Sequence, residues 1–283
     1  MPKLLFALFL VGISLTAGAN PKSILALQAI ERGIGGHLGV IAIDTKTGRR
    51  IEYKSAKRFL MCSTFKLSLV AHILKRADSG EEKLDRLISF SPADLLEYAP
   101  VTSRRVSEKK MSIKDLSIAV LQYSDNTAAN LLLHEQGGPA GLTQFLRSIG
   151  DQITRIDRSE PALNTPKGDF DTTTPEAIAE TVRKLVLGDV LSPTSRAFFT
   201  EWLLSNAVSN ARFRAGVPDS WKVADRGGSG DGGVTNDIGV LFGPNDQKIV
   251  LAAFTSGSTK PRSEIEKALA EVAKLATAEF ADH

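Results

Sequence analysis

The order of structural signals predicts an α/β (α+β) protein: one antiparallel sheet formed by both chain ends and flanked by helices, plus an all-α lobe, with the active-site cleft between them. Three observations predict it. Strand-like segments lie near the two ends, helix signals dominate from about residue 63 to 206, and helical segments bracket the strands on the outside. A sheet that joins both termini must bury an apolar face, and a cleft beside a helical lobe is a usual place for a site.

Taken in order, the first element is a leader. Lys3 supplies a positive charge, Leu4 to Leu15 is apolar, and Ala17-Gly18-Ala19 fits a small-x-small cleavage rule. The apolar run is shorter than the ~20 residues of a spanning helix. Cleavage is expected after Ala19, giving an exported, periplasmic or secreted chain. No second apolar stretch reaches membrane length.

The mature part, 20–283, is expected to be a single domain with an α/β part (20–55 and 208–283) and an all-α part (56–207). Pro21 to Arg32 has helical spacing, with Ile24, Leu27 and Ile30 on one side. Leu38 to Asp44 and Arg49 to Tyr53 read as strands joined by the Thr45–Gly48 turn. Ser91-Pro92, Thr174-Pro175 and Ser192-Pro193 each pair an N-cap with a proline at the first helical position. Ser112 to Asp115 opens another helix, and Gly137-Gly138, Gly150 and Gly188 are stops. Trp221 to Arg226, Asp237 to Phe242 and Lys248 to Ser256 return to strand. A Ser263-x-x-Glu266 box then opens the last helix, running through Phe280.

Composition narrows the function. The chain has 283 residues, 42% hydrophobic and 24% charged, with a net charge of +3. This excludes disordered, collagen-like and disulfide-scaffold classes. Basic residues are interleaved with acidic ones, which argues against nucleic acid as a partner. One cysteine, Cys62, permits no internal disulfide, and its expected role is that of a buried thiol. The histidines (His37, His72, His134, His283) lack metal-ligand spacing, so no metal is expected. Gly228 to Gly233 spells G-x-G-x-x-G, but a strand and not a helix is expected next, which argues against a dinucleotide site.

The chemistry-bearing residues begin with Ser63-Thr-Phe-Lys66, at the start of an apolar-periodic helix. Residues three apart share a helix face, so Lys66 can set its amine beside the Ser63 hydroxyl. A second Ser-x-x-Lys, Ser107 to Lys110, reads as a solvated charge run. Ser124-Asp125-Asn126, Glu160-Pro-Ala-Leu-Asn164 and Arg226-Gly227-Gly228 with Ser229 follow in that order.

These motifs, together with Glu97-Tyr98-Ala-Pro-Val and Asp171-Thr-Thr-Thr-Pro175, resemble the class A serine β-lactamases over essentially the whole mature chain. The resemblance implies that Ser63 is the nucleophile and that the Ser63 and Ser229 amides form the oxyanion hole. Lys66 and Glu160 are both candidate bases for acylation. Glu160 with Asn164 would direct water in deacylation, and Ser124 would protonate the leaving nitrogen. Asn126 would bind the acylamide group, and Tyr98 would wall the cleft. Arg158 and Asp171 match a pair that closes the loop carrying Glu160.

This sequence departs from the family pattern in three places. Arg226-Gly227-Gly228 replaces a Lys-Thr/Ser-Gly triplet, so Gly227 lacks a hydroxyl that helps bind the substrate carboxylate. Thr235 stands where many members have an arginine for that carboxylate, and Arg212 matches a position from which others supply the charge. The segment from Glu160 to Asp171 is about two residues short. No cofactor is implied; the expected partners are small β-lactams, and a monomer is expected. The alternatives are a penicillin-binding DD-peptidase, which lacks a deacylating Glu-x-x-Leu-Asn, and a non-hydrolysing β-lactam sensor.

Overall fold

A computed structural model describes residues 20–281; the expected leader, 1–19, and residues 282–283, with His283, lie outside the described residues. The first half contains α1 (Pro21–Ile34), β1 (His37–Asp44), β2 (Arg50–Tyr53), β3 (Phe59–Leu60), α2 (Phe65–Asp78), β4 (Leu87–Ser89), α3 (Thr102–Arg105), β5 (Lys110–Ser112), α4 (Ile113–Tyr123) and α5 (Asn126–Glu135). The second contains α6 (Gly138–Ser148), β6 (Thr172–Thr173), α7 (Pro175–Val186), α8 (Pro193–Leu204), α9 (Phe213–Gly216), β7 (Lys222–Gly230), β8 (Val234–Phe242), β9 (Lys248–Ser256) and α10 (Arg262–Phe280).

The main sheet runs β2-β1-β9-β8-β7, antiparallel throughout, so the two ends of the chain meet where β1 pairs with β9. Successive side chains point to opposite faces. Leu38, Val40, Leu251 and Ala253 face one way and pack with Leu27 of α1 and Leu269 and Ala273 of α10. Ile41, Val250, Ala252 and Phe254 face the other way, onto Phe65 and Ile178 of the helical part. Both faces are therefore covered, one by the terminal helices and the other by the lobe itself. Helix α2 lies at the lobe's centre and buries residues on all sides, from Phe65 through Leu74. A helix enclosed in this way is a rigid base for the residues at its start.

Three helix signals resolve differently from their sequence reading. Ser91-Pro92 opens only a single 3₁₀ turn, Pro92–Asp94, in which Asp94 accepts from both the backbone and the hydroxyl of Ser91. Gly137 caps the beginning of α6 and Gly138 lies inside that helix. Ser263-x-x-Glu266 is not a capping box: α10 starts at Arg262 with Pro261 as its cap, and Glu266 reaches across to Arg212. A tertiary ion pair takes the carboxylate that the local box would have used. Ser192 and Thr174 do accept from the third residue of α8 and α7. The Gly228–Gly233 segment runs from β7 through a turn into strand β8.

Beneath the strands nearest the cleft, Arg214 pairs with the fully buried Asp225 at 2.6 Å and donates to the Leu203 and Leu204 carbonyls that end α8. Removing one partner of a buried pair leaves the other charge uncompensated. Arg214→Met is expected to cost about 3–5 kcal/mol of unfolding free energy in urea titration at pH 7. A loss below about 1 kcal/mol would mean that the pair carries little of the fold's stability.

Candidate active site

Ser63 lies in a 3₁₀ turn, Cys62–Thr64, that runs directly into α2. Cys62 holds a positive φ of 48° and is fully buried, whereas Ser63 beside it is partly exposed. Burial pushes the Cys62 thiol well up, so it remains a thiol. One helical turn on, the Lys66 amine lies 3.0 Å from Ser63 Oγ. It also donates to Asn126 Oδ1 at 2.5 Å and to Ser124 O and Oγ at 2.9 and 3.1 Å, and it lies 3.0 Å from Glu160 Oε1. Desolvation lowers the Lys66 pKa to about 8, against the opposing pull of the Glu160 carboxylate.

Ser124 ends α4 in the left-handed conformation, and Asp125 caps α5 by accepting from Ala128 N. Asp125 also takes the Val101 and Thr102 amides and the Thr102 hydroxyl. One buried carboxylate thus fixes the Ser-Asp-Asn corner to the 101–102 segment, while the Tyr98 carbonyl accepts from Asn126 N. Tyr98 itself is half exposed at the cleft edge.

Glu160 is held at three points. Asn130 of α5 accepts from its amide and donates to its carbonyl, at 3.0 and 2.8 Å. Its Oε2 accepts from Asn164 Nδ2 at 2.5 Å, while Oε1 accepts from Ser63 Oγ at 3.2 Å. Asn164 Oδ1 is buried without a partner among the described residues. Asn130 was not singled out from the sequence, although its place one turn after Asn126 on the same helix face is a usable signal.

The loop ends are tied as the Arg158 and Asp171 positions suggest. Arg158 Nε meets Asp171 Oδ2 at 2.6 Å, and Asp171 Oδ1 accepts the amides of Asp157 and Arg158. Asp157 returns a bond to the Asp171 amide, and Arg158 also donates to Thr165 O. Asp171 is 1% exposed, so this is a buried junction and not a solvated surface pair.

Strand β7 forms the opposite wall. A Cβ on Gly228 would lie 2.7 Å from Met61 O and 2.9 Å from Ser63 N, so glycine is what lets the strand reach the nucleophile turn. The next residue, Ser229, carries the second candidate oxyanion amide. Arg226 is buried, donates to Leu121 O at 2.9 Å, and has its pKa lowered to about 10 by burial. Thr235 is buried directly opposite Ser229 in the β7–β8 register. Arg212 is buried behind this wall. It is 6% exposed and spends all five N–H groups on the protein: Nη1 on Gly228 O and Asn236 O, Nη2 on Ser229 Oγ and Glu266, and Nε on Glu266.

His37 and His134 are exposed and His72 stacks on Phe145; Ser107 and Lys110 lie away from these residues on the surface. The arrangement can attack a carbonyl with an activated hydroxyl, hold the developing oxyanion, and direct a base at a second nucleophile.

The "Beta-lactamase enzyme family" matches residues 24–280. The chain is 42% identical over 259 residues to β-lactamase Toho-1 of Escherichia coli, covering 90% of this chain and 88% of that one. It is 41% identical over 253 residues to β-lactamase OXY-2 of Klebsiella oxytoca, covering 89% and 87%. An ancestral class A β-lactamase structure superposes with a TM-score of 0.89 at 47% identity, over 91% of this chain and all of that one. A β-lactamase from Burkholderia vietnamiensis gives 0.90 at 43% identity, over 93% and 99%. With matches of this extent to both sequence and fold, the chain belongs to the β-lactamase enzyme family, in its class A.

Proposed function

We propose that this β-lactamase hydrolyses the β-lactam amide of penicillins and cephalosporins through an acyl-enzyme on Ser63, and so confers resistance to them. The observation that carries the reading is the position of Ser63 Oγ, within 3.0 Å of Lys66 Nζ and 3.2 Å of Glu160 Oε1. Attack by Oγ on the lactam carbonyl transfers its proton to Lys66 or Glu160, while the Ser63 and Ser229 amides stabilise the oxyanion. Ser124 Oγ, 3.1 Å from the Lys66 amine, gives its proton to the lactam nitrogen as the ring opens. Asn126 Oδ1 is engaged by Lys66, which leaves Nδ2 to donate to the substrate's acylamide carbonyl. Tyr98 walls the cleft at its open side.

Deacylation falls to Glu160. Its carboxylate reaches the ester position, and the unpartnered Asn164 Oδ1 beside it can accept from a water aimed at the ester. This favours turnover over the lasting ester of a penicillin-binding protein or sensor. Arg226 and Arg212 contribute charge, and Ser229, Thr235 and Gly228 line the carboxylate end of the cleft. Since the Arg212 donors are all engaged, Arg212 acts by its field and by fixing Ser229. The mature chain, 20–283, is a single exported unit, periplasmic or secreted, and a monomer. Among the described residues no helix is long and apolar enough to cross a membrane.

Removing the deacylating base separates the two half-reactions. Glu160→Gln mixed with a good penicillin is expected to retain an adduct of full substrate mass on Ser63 in intact-protein mass spectrometry, while the parent shows none and Ser63→Ala never acquires it. General-base assistance commonly contributes ~10²–10⁴-fold, and the loss in turnover should lie in that range. Parental turnover by Glu160→Gln would remove Glu160 from the mechanism.

The acylation base has a pH signature. With Glu160 neutralised, Lys66 is the remaining base and must be unprotonated to act. Loss of the carboxylate also removes what supports its ammonium, so the midpoint moves below the parental value of about 8. Stopped-flow acylation of Glu160→Gln should therefore rise with pH and level off with a midpoint under 8. A flat profile from pH 5 to 9 would exclude Lys66 as the base.

Asp171→Ala unties the Glu160 loop at a buried junction. It is expected to cost about 2 kcal/mol of stability and to slow deacylation more than acylation, read as a partly populated adduct. Unchanged steady-state adduct would show that the loop holds its course without this tie.

A further inference from the structure

We infer that Ser209 supplies a hydroxyl for the substrate carboxylate in place of the one that Gly227 does not carry, making it a specificity-determining residue for hydrolysis at Ser63, on which this role rests. A Cβ on Gly227 would collide with Arg212 Nη1 and lie 2.6 Å from Ser209 Oγ. The volume of a side chain at 227 is thus occupied from the other side, by a guanidinium and a hydroxyl. Their backbone is joined by one turn, in which Arg212 N donates to Ser209 O at 3.0 Å.

The two groups differ in what they have left to give. Arg212 has no free N–H, since Gly228 O, Asn236 O, Ser229 Oγ and Glu266 take all five. Ser209 Oγ is buried, in a residue 1% exposed, and has no partner among the described residues. A buried unpaired hydroxyl is disfavoured unless something satisfies it. Beside it stand the positive charges of Arg212 and Arg226, the latter two residues along the same wall from Gly228. An anionic acceptor drawn to this end of the cleft meets a hydroxyl donor with no competing bond among the described residues, in a field already positive. Ser229 Oγ accepts from Arg212 Nη2, so its own proton points away from the guanidinium and is a second donor to the same carboxylate.

The test compares a penicillin with its methyl ester, on the parent and on Ser209→Ala. The variant removes a hydroxyl that the folded protein leaves unpaired, so its thermal midpoint should be no lower than the parent's. Its kcat/KM for the acid should fall on the order of 10-fold, carried mainly by KM, with the ester within twofold of the parent. A parent that turns over neither substrate would overturn hydrolysis itself. A parent active on both, with a Ser209→Ala variant that loses nothing or loses equally on acid and ester, overturns the role of Ser209 alone.

Discussion

Lys66 carries its amine into the interior with no exposed side-chain surface, and an ammonium there costs several kcal/mol unless it is met on every side. Its partners come from three separate parts of the chain: Ser63 from its own helix, Ser124 and Asn126 from the corner between α4 and α5, and Glu160 from the long loop. The folded positions of these segments are therefore mutually dependent. The same desolvation that makes the amine costly lowers its pKa to about 8, within reach of neutral pH, where it can exchange a proton. Burial and the readiness of the amine to exchange a proton have one physical cause.

The backbone around that amine is strained where it has to be. Cys62, Ser124 and Asp171 all adopt positive φ without being glycine. Each such residue costs of order ~1–3 kcal/mol and persists only when its surroundings over-determine it. Cys62 is enclosed by β7, Ser124 is bonded by Lys66 and by the end of α4, and Asp171 sits in a reciprocal set of bonds with Asp157 and Arg158. All three adjoin or belong to the segments that meet at Lys66. The remaining described cases, such as Lys54 and Asn245, fall in surface turns.

Local sequence carries what is decided locally. The period of β1 and β9, the Ser112, Thr174 and Ser192 caps, and the spacing from Ser63 to Lys66 all survive in the fold because each depends on residues within one turn or one strand. The Ser-Asp-Asn corner and the Glu160 loop were legible only through resemblance, since nothing in their spacing says that they converge. What was not legible depends on distant partners. Glu266 reads as half of a capping box until Arg212, 54 residues earlier, arrives beside it. Asn130 and Ser209 are small polar residues whose meaning comes from what a loop or a strand brings against them.

The wall formed by β7 shows how a positive site can be built from groups that offer few free donors. Arg212, Arg214 and Arg226 lie beneath or along it, with Asp225, Asp237 and Glu266 as the acidic groups facing them. Asp225 Oδ2 and Asp237 Oδ1 are both buried without a hydrogen-bond partner among the described residues. Burial raises the pKa of both carboxyls, that of Asp225 against the pull of its ion pair with Arg214 and that of Asp237 further, with its acidic neighbour adding to the rise. Arg214 is met by Asp225 and Arg212 by Glu266, whereas Arg226 has no ion-pair partner among the described residues, which leaves a positive field along β7. Long-range attraction by that field and short-range recognition by hydroxyls are separable tasks. In the proposed reading the arginines perform the first, their hydrogen bonds being spent on holding β7 in place, and the second falls to the serines.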